Sequence, residues 1–378
     1  MIYLDNSATT MVRAEVLDVI DEVLKKSYGN PSSLYDFGYS LSKKIDSARC
    51  VIAKYINACE NEIYFNSCAT EGNNTAIFGS ISSVKGKNVV TTRVEHPSVF
   101  NVYKSLKERK DVRFLKLDNF LKIDLESLSS LVDENTEIVS ISLVHNEFGT
   151  IQDISKIGSI IKEKNKNCIF HVDAAQAFGK VHIDVKKDKI DILTFSGHKI
   201  HAPKGIGAMF VSNSINLKPY ILGGGQEKNL RSGTENVSFI MGLSKASQIM
   251  YENIESRTLY LKNLKSILIK EISKISDVKF LSPKDALSNI LAVAFKDIRS
   301  EVLLHFLESE KIYISTGSAC SKGKKSRSLE EIKLENSYID GMIRISLSEF
   351  NTEEQMYVFV NNLKKYVQEI RTIMKRGR

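Results

Sequence analysis

His171-Val172-Asp173-Ala174-Ala175-Gln176 and, further along, Ser196-Gly197-His198-Lys199 decide the reading of this chain. Each segment closes a short apolar run, 168–172 in the first case and 191–195 in the second. Short apolar runs bounded by polar and glycine-containing turns are strand patterning. Asp173 and Lys199 therefore stand at or just after strand ends. Lys199 is a candidate Schiff-base amine, since desolvation and cationic neighbours help a lysine lose its proton. Asp173 is a candidate partner for a ring nitrogen. Together they meet the needs of a pyridoxal phosphate (PLP) site: a covalent anchor and an acid that keeps the ring electron-poor. The plainer readings are a surface lysine and a helix N-cap aspartate. Gln176 would then be a capping-box partner, or in a cofactor site would hydrogen-bond the ring oxygen.

The same texture extends outward. Stretches 62–66, 88–92, 137–144 and 206–211 also read as strands, and 13–26 and 38–57 carry helix-spaced apolar residues. Strands alternating with helices predict an α/β fold with a mainly parallel sheet flanked by helices. Ligands of such sheets bind beyond the carboxyl ends of the strands, and His96, Asn146, Asp173 and Lys199 all fall there. After a helical region near 244–273, strands at 290–295, 311–315 and 342–347 alternate with helices. They predict a smaller α+β domain completed by the first dozen residues. The division expected is 14–257 for the large domain, with 1–13 and 258–378 for the small one. Proline is scarce and no low-complexity linker separates the two, so they should pack together.

Composition narrows the function classes. The 378 residues are 42% hydrophobic, and the formal charge is +8. Lysines are interspersed with acidic residues except at Lys322, Lys324, Lys325, Arg327 and the terminal Lys375-Arg376-Gly377-Arg378. A solvated basic surface explains this charge, and no motif supports direct nucleic-acid binding. No apolar run is long enough for a membrane span, and the opening MIYLDNSATT lacks signal-peptide character. The five cysteines, Cys50, Cys59, Cys68, Cys168 and Cys320, form no CxxC pair. That count suits a reducing cytoplasm, the expected location.

Further candidates follow from local chemistry. Cys68-Ala69-Thr70-Glu71-Gly72-Asn73-Asn74 follows a strand and opens a helix, so its backbone amides suit a phosphate; an ordinary cap is the alternative. A P-loop is excluded, because Gly86-Lys87 is followed by Asn88 rather than Ser or Thr. His96 is structural, or else stacks on a flat ring and moves protons. Gly223-Gly224-Gly225-Gln226 leads into Arg231-Ser232-Gly233-Thr234, a plain loop or a phosphate contact through Thr234 across a subunit interface. Cys320 lies among Ser, Gly, Lys and Arg, where cations favour the thiolate. Arg344 alternates with apolar residues, and its fork suits a substrate carboxylate.

Taken together these residues resemble the cysteine desulfurases of the NifS/IscS type, in the class V aminotransferase group of fold-type I PLP enzymes. The resemblance spans nearly the whole chain. It runs from Tyr3-Leu4-Asp5-Asn6-Ser7-Ala8-Thr9-Thr10 through Asn30-Pro31-Ser32-Ser33, Glu95-His96 and Asn146-Glu147-Phe148-Gly149 to Arg231-Ser232-Gly233-Thr234 and Gly317-Ser318-Ala319-Cys320. It implies a seven-stranded, mainly parallel sheet and a homodimer. It implies PLP bound to Lys199, with Asp173 on the pyridine nitrogen and Gln176 on the ring oxygen. His96 would stack on the ring and serve substrate protons. Ala69, Thr70, Ser196, His198 and a neighbouring subunit's Thr234 would bind the phosphate end. Asn146 and Arg344 would hold the carboxylate of L-cysteine. Cys320, in a long mobile loop at about 316–340, would take the sulfur as a persulfide and leave L-alanine.

The sulfur would pass to an acceptor protein, an iron–sulfur scaffold or a tRNA- or cofactor-thiolating enzyme, with a transient 2Fe-2S cluster at Cys320 as a further expectation. Two departures stand out: His145 where many relatives have a second Asn, and Ser348 where Gly is common. The Lys322-Gly323-Lys324-Lys325 run after Cys320 would tune the thiolate or dock an acidic acceptor. The rival readings are a selenocysteine lyase, another class V enzyme, and a non-catalytic sulfur-trafficking partner.

Overall fold

The computed structural model describes residues 1–316 and 326–376. Seven strands form the central sheet, in the spatial order Ile63–Asn66, Gly207–Val211, Ile192–Ser196, Ile169–Asp173, Thr136–Ser142, Asn88–Thr91 and Asp111–Phe114. Neighbours pair in parallel except at Gly207–Val211, which is antiparallel to both partners. The glycine-rich turn explains the exception. Gly205 takes φ +85°, a left-handed conformation glycine adopts without strain, and Gly197 N–H donates to Ile206 O at 2.9 Å. The chain thus folds straight back on the strand it has just left. Gly207 serves packing: a Cβ there would lie 2.7 Å from both Phe195 O and Asn66 Oδ1.

Ile192–Ser196 and Gly207–Val211 are buried at every position. Helices cover both sheet faces, so such strands read as unbroken apolar runs rather than alternating ones. Within this sheet, Asp111–Phe114 is the strand the sequence reading did not single out. It is a half-exposed edge of four residues, DVRF, with little apolar pattern. The helices Ala14–Lys26, Asp36–Tyr55 and Val237–Glu252 pack into one core with the sheet through Val16, Leu41, Ile52 and Leu243. The helical region expected at 244–273 is two helices, Val237–Glu252 and Ile254–Ile272, broken at Asn253.

A second core forms around Leu4, Leu264, Leu291, Phe295, Ile343 and Phe359. Its sheet is antiparallel, in the order Ser315–Thr316, Met342–Ser346, Ile290–Phe295, Val278–Phe280. The strand expected at 311–315 is in fact two. Ile312–Tyr313 pairs in parallel with Ile2–Tyr3, and Ser315–Thr316 joins the four-stranded sheet. The first ten residues tie the two cores together: Leu4 lies in the second core, Asn6 N–H donates to Ser346 O at 3.2 Å, and Thr10 N–H donates to His198 O at 3.0 Å. No helix among the described residues is long and apolar enough to cross a membrane.

Candidate active site

Where these cores meet, at the carboxyl ends of the central strands, lies a cavity of about 520 Å³. That is the size range of a cofactor or small-molecule site. Ten of the residues singled out from sequence line it: Ala69, Thr70, His96, Asn146, Asp173, Gln176, Ser196, His198, Lys199 and Arg344. Thr234 is exposed and does not line it. Cys320 and the Lys322–Lys325 run, with the cluster and docking roles expected of them, lie outside the described residues; the strand Ser315–Thr316 before them reaches the cavity wall. Within the stretch 316–340 read as a loop, Arg327–Glu331 and Asn336–Ile339 are helical.

Lys199 sits in the turn after Ile192–Ser196, its Nζ donating to Ser7 O and to Ala8 O at 2.8 Å. The fold makes of it a half-buried amine on the cavity wall, held by two carbonyls. Asp173 ends its strand, and no helix begins there. Its Oδ1 accepts from Ala175 N–H at 2.9 Å, and its Oδ2 accepts from Asn73 Nδ2 at 2.7 Å. Both oxygens keep lone-pair capacity toward the cavity. Gln176 makes no capping box: its Nε2 donates to Ser7 O at 2.9 Å, and its Oε1 accepts from Lys180 at 3.2 Å. His96 is the N-cap of Pro97–Leu106, where Nδ1 accepts from Ser98 N–H at 3.2 Å.

The anion-binding features are specific. Cys68 is the N-cap of Ala69–Ser80, and among the described residues its side chain takes no hydrogen bond from the helix amides, so the first of them stay open beside the cavity. Ser196 Oγ is buried with no hydrogen-bond partner among the described residues. An orphaned hydroxyl and open helix amides on the wall of one cavity fit a phosphate group. Arg344 donates to Asp5 Oδ1 at 2.7 Å and to Asn146 O at 3.1 Å, while its buried Nε has no partner among the described residues. The glycine-rich segment before Thr234 is tied at three points rather than being a plain loop. Glu227 pairs with Arg49 at 2.6 Å, Arg231 Nε with Glu71 at 2.9 Å, and Gly233 N–H donates to Gln226 Oε1 at 2.8 Å.

The class V aminotransferase family model matches residues 2–359. The chain belongs to that family. It is 39% identical over 379 aligned positions to a cysteine desulfurase of Trichormus azollae, covering 99% of this chain and 94% of that one. Among solved structures it resembles a NifS-like protein with a TM-score of 0.92 and 34% identity, over 97% of this chain and 99% of the other. It also resembles SspA in complex with cysteine, with a TM-score of 0.82 and 32% identity, over 93% and 100%.

Burial sets the charge states around this class V cavity. His96 is held below the usual histidine range by desolvation, with Lys199 and Arg327 adding to it against Asp173. Desolvation, with help from Lys199 and Lys204, pulls His198 down to about 4. Both imidazoles are therefore neutral at pH 7. Desolvation pushes Glu95 up to about 7 despite hydroxyl donors from Ser142 and Thr92. Lys180, desolvated and beside Lys199, falls to about 7. Asp5, Asn73, Ser98 and Lys180 were not singled out from sequence. Asp5 and Asn73 lay inside quoted motifs, but only the fold shows them touching Arg344 and Asp173.

Proposed function

We propose that this chain is a PLP-dependent cysteine desulfurase that converts L-cysteine to L-alanine and a persulfide on Cys320. The convergence of Lys199, Asp173, His96 and Arg344 on one cavity carries the reading, and the similarity to curated cysteine desulfurases supports it. PLP, when bound, supplies an electron sink for bond changes at the substrate Cα. Lys199 would hold it covalently, and its amine would move the Cα proton. Asp173 would accept from the ring N–H, Gln176 would bond the ring oxygen, and His96 would face the substrate. Ser196, His198, Thr70, Ala69 and a partner copy's Thr234 hold the phosphate.

Arg344 and Asn146 hold the substrate carboxylate, which fixes the thiol relative to Cys320. The Cys320 thiolate attacks the substrate sulfur. An S–S bond forms, the C–S bond breaks, and its electron pair stays with the carbon, which is protonated to alanine. The terminal sulfur then leaves to an acceptor protein; a 2Fe-2S cluster at Cys320 belongs to the same reading. A homodimer is part of the same reading, and the exposed apolar side chains Leu17, Leu24, Tyr28, Leu34 and Tyr35, within one stretch of the chain, are of the kind a second copy covers. Division into domains at 14–257 and 1–13 plus 258–378, and a cytoplasmic location, complete the reading. The test is alanine and sulfide release from L-cysteine by the PLP-loaded protein. Wild type should form alanine while Cys320→Ala forms almost none; equal alanine from both would defeat the proposal.

A further inference from the structure

Beneath the cavity runs a line of buried polar side chains. Tyr103 Oη donates to Ser140 Oγ at 2.8 Å. Ser140 Oγ lies 3.0 Å from His171 Nδ1, and His171 Nε2 lies 3.4 Å from Thr194 Oγ1. Thr194 Oγ1 donates to Asn73 Oδ1. Asn73 Nδ2 donates to Asp173 Oδ2 at 2.7 Å and to Ser98 Oγ at 2.8 Å. Ser98 Oγ ends the line, 2.8 Å from His96 Nδ1. Tyr103, Ser140, His171, Thr194 and Asn73 are all fully buried, so they must satisfy one another.

One constraint fixes the direction of every proton. A carboxylate oxygen only accepts, so the Asn73 amide must turn its NH₂ toward Asp173. Asn73 Oδ1 then faces Thr194 and accepts its hydrogen. The Thr194 oxygen in turn accepts from His171 Nε2–H, which leaves His171 Nδ1 to accept from Ser140. On the other side Ser98 Oγ accepts from Asn73 and turns its own hydrogen to His96 Nδ1. The Ser98 backbone N–H points at the same nitrogen from 3.2 Å. With two donors aimed at it, Nδ1 carries no proton, and neutral His96 keeps its hydrogen on Nε2. A second proton would have to enter at Nδ1 and displace both donors.

We infer that Asn73 is a positioning residue that couples Asp173 to the tautomer of His96, holding the resting His96 as a neutral Nε2–H hydrogen-bond donor to the substrate. The donor role rests on the desulfurase reading; the tautomer does not.

The test begins with cofactor-free protein labelled with ¹⁵N-histidine, His96 being assigned from a His96→Gln sample. Long-range ¹H–¹⁵N correlation at pH 7.5 should show a bare Nδ1 and a protonated Nε2. Asn73→Ala and Ser98→Ala, checked for native circular dichroism, should raise the Nδ1–H share about fivefold, the worth of one net hydrogen bond. In the loaded enzyme Asn73→Ala should lower kcat for alanine formation with little change in KM for cysteine. An Nδ1–H tautomer in the wild type, or an unchanged tautomer ratio in Asn73→Ala, would overturn the inference. Absence of alanine from the wild type would sink the desulfurase reading and leave the tautomer result standing.

Discussion

Replacing Arg344 by lysine keeps the charge and removes the fork. In the structure the guanidinium already serves Asp5 Oδ1 at 2.7 Å and Asn146 O at 3.1 Å, and its Nε remains for a ligand. One ammonium in place of that fan cannot hold Asp5, the Asn146 carbonyl and a substrate carboxylate together. At least one charge-assisted hydrogen bond is lost, about 1.5–3 kcal/mol. At 1.4 kcal/mol per factor of ten, kcat/KM for L-cysteine should fall about 10- to 100-fold. The contact exists before and during the chemistry, so the loss should fall on KM with kcat within a few-fold. Steady-state alanine formation against cysteine concentration measures this, with the cofactor absorbance of the substrate-free enzyme as a control for intact loading. A kcat/KM within about threefold of wild type would show that the substrate carboxylate lies elsewhere. A fall in kcat at constant KM would show that Arg344 acts in the transition state alone.

Two further predictions concern stability. Folded Lys180 titrates at about 7, whereas an unfolded lysine titrates near ~10.4. Between those values the unfolded chain binds more protons, so wild-type stability gains up to about 1.4 kcal/mol per pH unit from this group as pH rises. Below pH 7 the penalty for burying the ammonium is fully present. Lys180→Met escapes it, so its advantage in urea unfolding should be largest near pH 6.5 and shrink toward pH 9; a difference constant across that window would contradict the assigned titration. Arg49→Met leaves the buried Glu227 carboxylate without its two guanidinium bonds of 2.7 and 2.6 Å. The expected loss is about 3–5 kcal/mol in chemical denaturation. A loss under about 1 kcal/mol would mean that water or another cation replaces the pair.

Much of the fold was legible because its central strands are buried on both faces. Ile192–Ser196 and Gly207–Val211 are mostly apolar, and the first ends in Ser196, a polar residue on the cavity wall. The sequence could not reveal that Gly207–Val211 runs backwards, because strand direction depends on the turn geometry at Gly205 and leaves no trace in hydrophobic period. Asp111–Phe114 was hidden by its edge position, where alternation is weak. The split of 311–315 was equally hidden: Ile312–Tyr313 pairs with a strand at the far N-terminus, and local pattern cannot report such a partner. At the site, motif residues with reactive side chains announced themselves. Asn73, Ser98 and Asp5 did not, since an amide, a hydroxyl and a carboxylate near helix or strand ends read as caps. Only the approach of segments far apart in sequence turns them into partners of Asp173, His96 and Arg344.

The same approach explains how the cysteine-bearing segment is held at both ends. Before it, Ser315 and Thr316 pair with Arg344 and Ile343, so the strand leading to Cys320 is registered against the arginine itself. After it, Ser326 Oγ donates to Glu147 at 2.8 Å, Arg327 Nη2 donates to Glu95 O at 2.8 Å, and Ser328 Oγ lies 3.2 Å from His145 Nε2. Arg327 also lies 3.7 Å over the Phe100 ring, on the helix that His96 caps. Glu95, His145 and Glu147 are the chain neighbours of His96 and Asn146. His145 Nδ1 accepts from Phe148 N–H at 3.1 Å, so its Nε2 carries the hydrogen, which the Val94 carbonyl and Ser328 Oγ share. An asparagine at 145 would have to make both bonds with one shorter amide. The departure at His145 is thereby accounted for: the longer ring spans from the Asn146 turn to the far anchor of the cysteine segment. Both anchors of that segment are built from residues adjacent to, or paired with, those that line the substrate cavity, so a shift in one is felt directly by the other.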